Sequence, residues 1–205
     1  DYFFENNIQT LNMEFTDQFK NTVTLPVAYE EGKGYYFLDK GRHIVGIGTI
    51  DWNRWEEAVM PYYFSDPSEV PSHYISALQT VRSCYDTYQE LGLFADPKTI
   101  LFSFDSNDIP YASAALCYGA FMVSVYDNPS NAAFDVLSHE FAHGVLSMIT
   151  GGLAYKSKTG AINEAYADIL GNLLELIVYE DGANIGDVDR DQWLIREAVD
   201  NGKYT

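Results

Sequence analysis

His139-Glu140-Phe141-Ala142-His143 is the stretch that decides the reading of this 205-residue chain. It lies within Phe134 to Ile149, which reads as a helix. Two imidazoles four residues apart on a helix share one face, about one turn apart, and both can reach a single metal ion. Glu140 stands beside that face, where a carboxylate can take a proton from a metal-bound water. An ordinary amphipathic helix can carry the same five residues by chance, so the surroundings must decide. They decide for zinc.

Further along comes Gly160-Ala161-Ile162-Asn163-Glu164-Ala165-Tyr166-Ala167-Asp168. A zinc ion with an open catalytic position needs three protein ligands, and two histidines with one carboxylate form such a set. Glu164 can supply the third from a second helix. Asp168, four residues on, shares its face and can accept the free N–H of a ligating histidine, which fixes the tautomer and raises basicity. An isolated Glu-x-x-x-Asp is usually a solvated helix face. Following His139 to His143, and set among apolar Ala161, Ile162, Ile169 and Leu170, it reads instead as the second half of a zinc site. The whole is the H-E-x-x-H arrangement of a zinc metalloprotease.

From Asp135 through Asp168, the runs His-Glu-Phe-Ala-His-Gly-Val and Gly-Ala-Ile-Asn-Glu-Ala-Tyr-Ala-Asp closely resemble the thermolysin-like neutral metalloproteases, gluzincins in which a distant glutamate completes the metal site. The likeness is looser at Tyr35 to Asp51, at Ser72 to Leu91 and at Leu194 to Tyr204, and it reaches from about Gly32 to the C-terminus. It implies a zincin-like fold. It also implies that Tyr155 helps hold the oxyanion, that Arg196 contacts the substrate carbonyl, and that Ile195 lines the neighbouring pocket. The strand before the zinc helix, around Met122, would add an extended peptide to its edge. Within this region Ala115 best matches the residue whose carbonyl meets the scissile amide. The family's asparagine here is Ala114, and a nearby tryptophan is Cys117. The resemblance further implies calcium at Asp135, Glu175 and Asp187, since hard Ca²⁺ takes six to eight oxygens. Ala183 and Asn184 replace two other carboxylates, with Asp181 close enough to substitute, so one calcium is expected rather than two.

Members of that family carry a further Asp and a His beyond the arginine region. This chain ends at Thr205, before that segment. The expectation is a catalytic domain lacking its C-terminal part, whether a natural short chain, a nicked product or one of two separate polypeptides. The Ala161–Tyr179 helix would then keep an apolar face for a homodimer or a complementary fragment.

Composition narrows the partners. A formal net charge of −18 argues against nucleic acid, because phosphate contacts need Lys and Arg clusters. There is no apolar run long enough for a transmembrane helix, hence no membrane partner is expected. Asp1-Tyr2-Phe3-Phe4-Glu5 is no signal peptide, which fits a mature, secreted chain. Cys84 and Cys117 could pair or stay as two buried thiols.

Residues 1 to about 66 read as strands and turns: Val23–Val27, Tyr35–Leu38 after the Glu31-Gly32-Lys33-Gly34 turn, and His43–Ile50. A helix is expected from Asp66-Pro67-Ser68 to Gly92, on the spacing of Tyr74, Ile75, Leu78, Val81, Tyr85, Tyr88 and Leu91. Strands follow at Thr99–Phe104 and Phe121–Tyr126, then helices at Phe134–Ile149, Ala161–Tyr179 and Gln192–Val199. The class is α+β: a β-rich region (1–133) with one long helix, then a helical region (134–205) carrying both ligand helices. The expected activity is zinc-dependent endopeptidase, with Glu140 as general base and a peptide or protein as substrate. The alternative is a non-catalytic metal-binding or interaction module.

Overall fold

Residues that alternate along the first half of the chain separate onto two faces of one sheet, as a period of two requires. The computed structural model describes residues 2–5, 7–48, 60–93, 99–105, 112–117, 120–126, 132–151 and 156–180. Its strands are β1 (Thr10–Thr16), β2 (Thr22–Glu30), β3 (Gly34–Asp39), β4 (Ile44–Ile47), β5 (Ile100–Asp105), β6 (Ser113–Cys117) and β7 (Ala120–Tyr126). They form a seven-stranded sheet in the order β1-β2-β3-β4-β5-β7-β6. The first four are an antiparallel meander; β4, β5 and β7 run parallel, and β6 returns antiparallel to β7.

One face carries Leu25, Val27, Phe37, Ile44, Phe102, Phe121 and Val123. It packs against Ile75, Leu78 and Val81 of α2 (Ser72–Glu90) and Leu137, Phe141 and Val145 of α3 (Phe134–Thr150). Leu174 and Val178 of α4 (Ser157–Glu180) join the same core. The other face carries Ala28, Tyr36, Leu38, Val45, Leu101 and Met122, with Phe3 and Phe4 of the short α1 (Tyr2–Glu5) laid against them. The expected α+β order holds: a β-rich sheet first, then the two helices bearing the motif residues.

Two expectations change in detail. The helix foreseen from Asp66 begins instead at Ser72, preceded by a 3₁₀ turn at Pro67–Glu69 whose cap, Asp66, accepts the Ser68 N–H at 2.8 Å. Pro71 explains the break, because a residue before proline is pushed out of the helical region, and Val70 is extended at φ −84°, ψ 121°. The strand around Met122 is interior, paired with β5 and β6; the outer position is held by β6, which carries Ala115. Of the two alternatives left open for Cys84 the structure has the buried thiol, free and sealed in the core, with burial pushing its pKa up. A further strand, β1, and the short α1 were not foreseen as elements of their own.

α2 is tied to the β3–β4 turn by charge. Asp86 receives Arg42 through Nε at 2.8 Å and Nη2 at 2.7 Å, while Asp39 receives Arg42 Nη1 at 3.0 Å and Arg82 Nε at 2.8 Å. The Asp86 pairing is bidentate, the geometry in which guanidinium–carboxylate pairs are strongest. Among the described residues no helix is long and apolar enough to cross a membrane. The Gln192–Val199 helix lies outside the described residues.

Candidate active site

α3 becomes a helix because Phe134, Leu137, Phe141 and Val145 recur at its period and bury against the sheet. Burying that stripe turns His139 and His143 toward α4, which runs back antiparallel. The Ser138 hydroxyl lies 3.1 Å from the carbonyl of Gly171, where the two helices touch. From that contact toward the other end of α4, Asp168 and then Glu164 come level with His139 and His143.

The three expected ligands meet there. His139 Nε2 and His143 Nε2 are 3.0 Å apart, and the Glu164 carboxylate lies 3.4 Å from the first and 3.7 Å from the second. A tetrahedral zinc with bonds of roughly 2.0–2.1 Å holds its ligand atoms about 3.3 Å apart, which these separations bracket. Among the described residues this is the group of His, Cys, Asp and Glu that could hold a metal.

Protonation makes the fit chemical as well as geometric. Asp168 Oδ1 lies 2.8 Å from His139 Nδ1, and Asn163 Oδ1 lies 3.1 Å from His143 Nδ1. A carboxylate and an amide oxygen can only accept, so each Nδ1 carries the hydrogen. In the neutral imidazoles both Nε2 lone pairs are then left facing each other beside a carboxylate. A cation resolves that arrangement.

Glu140 is not one of the three ligands; it is largely buried next to β6, close enough to Glu164 to feel its charge. Burial pushes its carboxyl up to about 7, the negative charge of Glu164 adds to this, and a hydrogen bond donated by the Ala114 backbone N–H opposes it. A base poised near neutrality is the form that general-base chemistry favours. The same shift sets a pH dependence in chain stripped of metal by a chelator. Between the ordinary value of 4.5 and about 7 the folded state holds a proton that the unfolded state has lost. Stability is therefore highest at the acid end and falls as pH rises through that window. The expected loss is on the order of 3 kcal/mol. Denaturant titrations of stripped wild type and Glu140→Gln at pH 5 and pH 7.5 read it; equal slopes in the two proteins would dismiss the burial argument.

On the outer strand β6, Ala114 lies opposite Val123 and Ala115 opposite Met122, and the Ala114 backbone N–H is the donor to Glu140.

No family model matches the chain. Among curated proteins, it is 29% identical over 164 residues to a bacillolysin from Bacillus caldolyticus, covering 72% of this chain and 29% of that one. The same figures hold for a thermolysin from Alicyclobacillus acidocaldarius subsp. acidocaldarius. The chain is thus similar in sequence to thermolysins and bacillolysins. A zinc metalloproteinase from Renibacterium salmoninarum is 33% identical over 79 residues, 34% of this chain and 14% of its own. The chain spans about three-tenths of the length of the first two relatives.

Of the residues singled out from sequence, His139, Glu140, His143, Glu164 and Asp168 are brought together. Asp135 and Glu175 are both buried, one turn beyond the Ser138–Gly171 contact on their respective helices. Tyr155, Asp187, Ile195 and Arg196 lie outside the described residues. Asn163 was missed. Its signal was its place beside Glu164, which a two-histidine site needs because each imidazole requires its own acceptor.

Proposed function

We propose that this thermolysin-like chain is a zinc-dependent endopeptidase, secreted like the enzymes it resembles and acting on peptide or protein substrates. The observation that carries the reading is the convergence of His139, His143 and Glu164 with two paired Nδ1 atoms behind them. Held by those three side chains, a zinc ion supplies Lewis acidity, polarising a peptide carbonyl and acidifying water. Glu140 accepts the proton of the attacking water and delivers it to the leaving amine. Asp168 and Asn163 keep the imidazoles in the tautomer that offers Nε2. The outer strand β6 pairs with an extended substrate, with the Ala115 carbonyl accepting the scissile amide N–H. Tyr155 supplies an oxyanion donor, while Arg196 and Ile195 orient the residue after the scissile bond. Calcium is held by Asp135, Glu175 and Asp187, and the burial of the first two supports that assignment.

The exposed stripe Ile162, Tyr166, Ile169 and Leu173 on α4 favours a second reading. In it the chain is a metal-binding interaction module whose stripe meets a second copy or a complementary fragment. One experiment separates the two. Elemental analysis should find close to one zinc per chain, lost in His143→Ala, and the zinc-loaded chain should cleave casein unless a chelator is present. Zinc without cleavage would favour the module, and no zinc would remove both.

A further inference from the structure

Gly171 is where α4 comes closest to the zinc helix. A Cβ built on it would stand 2.9 Å from the backbone nitrogen of His139, 3.1 Å from its Cα and 3.3 Å from Ser138 Oγ. Backbone atoms cannot swing aside, so any side chain at 171 must push the helices apart. Across the same point the buried Ser138 hydroxyl is shared between its own helix at Asp135 O and the Gly171 carbonyl, 3.1 Å from each. One helix is thus seated against the other by an absent side chain and a cross-helix hydrogen bond.

The seat lies on the stripe that bears the ligands. Glu164, Asp168 and Gly171 are spaced i, i+4 and i+7 on α4, and opposite them stand His143, His139 and Ser138 on α3. Two stiff helices joined at one close contact cannot adjust Glu164 independently of Gly171. Metal–ligand distances tolerate only about 0.2 Å. The offset fixed at Gly171 therefore decides whether the carboxylate from α4 reaches both imidazoles.

We propose that Gly171, with Ser138, is a positioning residue of the metal centre. It sets the α3–α4 separation at which Glu164 completes the ligand set and Asp168 meets His139. The inference rests on the zinc reading given above. It assigns to a residue without a side chain the work of aligning two that have one.

The test compares wild type, Gly171→Ala, Ser138→Ala and a control, Val27→Ala, which opens a void in β2, four strands across the sheet from β7. Zinc affinity is read by competition with a chromophoric chelator. The visible absorption of the Co²⁺-loaded forms reads coordination geometry, which general loss of stability does not change. Gly171→Ala should bind zinc tenfold to a hundredfold more weakly and show an altered cobalt band. Ser138→Ala adds no bulk and folds readily; its affinity should fall severalfold with the band moving the same way. Val27→Ala should melt earlier yet keep wild-type affinity and band. Should Gly171→Ala fail to fold, Ser138→Ala decides alone. Wild-type affinity and an unchanged cobalt band in Ser138→Ala, or in folded Gly171→Ala, would overturn the proposal while leaving zinc binding intact. A wild type that takes up neither metal would instead remove the zinc reading, and this one with it.

Discussion

Under the proposed endopeptidase reading, Glu140→Gln is expected to retain its zinc and to lose peptidase turnover by about a hundredfold or more. The amide has the shape of the carboxylate, and the three ligands His139, His143 and Glu164 are untouched. What disappears is a proton acceptor, and general acid–base groups contribute on the order of 10²–10⁴ in rate. The position suits such a loss, because Glu140 is held in a largely buried site with one backbone donor from Ala114 and the charge of Glu164 nearby. Metal content by elemental analysis and initial rates on casein, measured on the same preparations, give the result. Equal rates in the two proteins would show that the base is another group.

Gly144→Ala destabilises the fold, although alanine is the better helix former by about 1 kcal/mol. A Cβ at 144 would stand 2.0 Å from Cε2 of Phe121 and 2.3 Å from its Cζ. Phe121 is fully buried and set edge-on to Phe141 at 5.0 Å, so its ring has no open volume to enter. Overpacking of this kind costs about 1–3 kcal/mol, and a near-coincident contact belongs at or beyond the upper end. A net loss of about 2 kcal/mol lowers the melting temperature by roughly 4–8 °C in a chain of this size. Adding Phe121→Leu should restore part of it by vacating the contact. A melting temperature at or above wild type in the single variant would refute the packing account.

The zinc set was legible because helical period is strict: His139 and His143 had to share a face, and so did Glu164 and Asp168. The core faces of α2 and α3 were legible for the same reason. β1 had its own signal in Leu11, Met13 and Phe15, which alternate and face Val27, Leu25 and Val23 across the hairpin. Asn163 was hidden because nothing in a spacing rule says which amide oxygen will stand behind which imidazole. The restart of α2 at Ser72 was readable from Pro71 but lost to the stronger cap signal at Asp66.

The two imidazoles stand 3.0 Å apart, each with its hydrogen committed on the far side, so both Nε2 lone pairs are offered to one cation between α3 and α4. Zinc binding is then coupled to the cohesion of α3 and α4. A ligand present at a thousand times its dissociation constant adds about 4.1 kcal/mol to the folded state. Melting temperature becomes a reading of free zinc, and a chelator acts on this protein as a selective denaturant of its helical crossing.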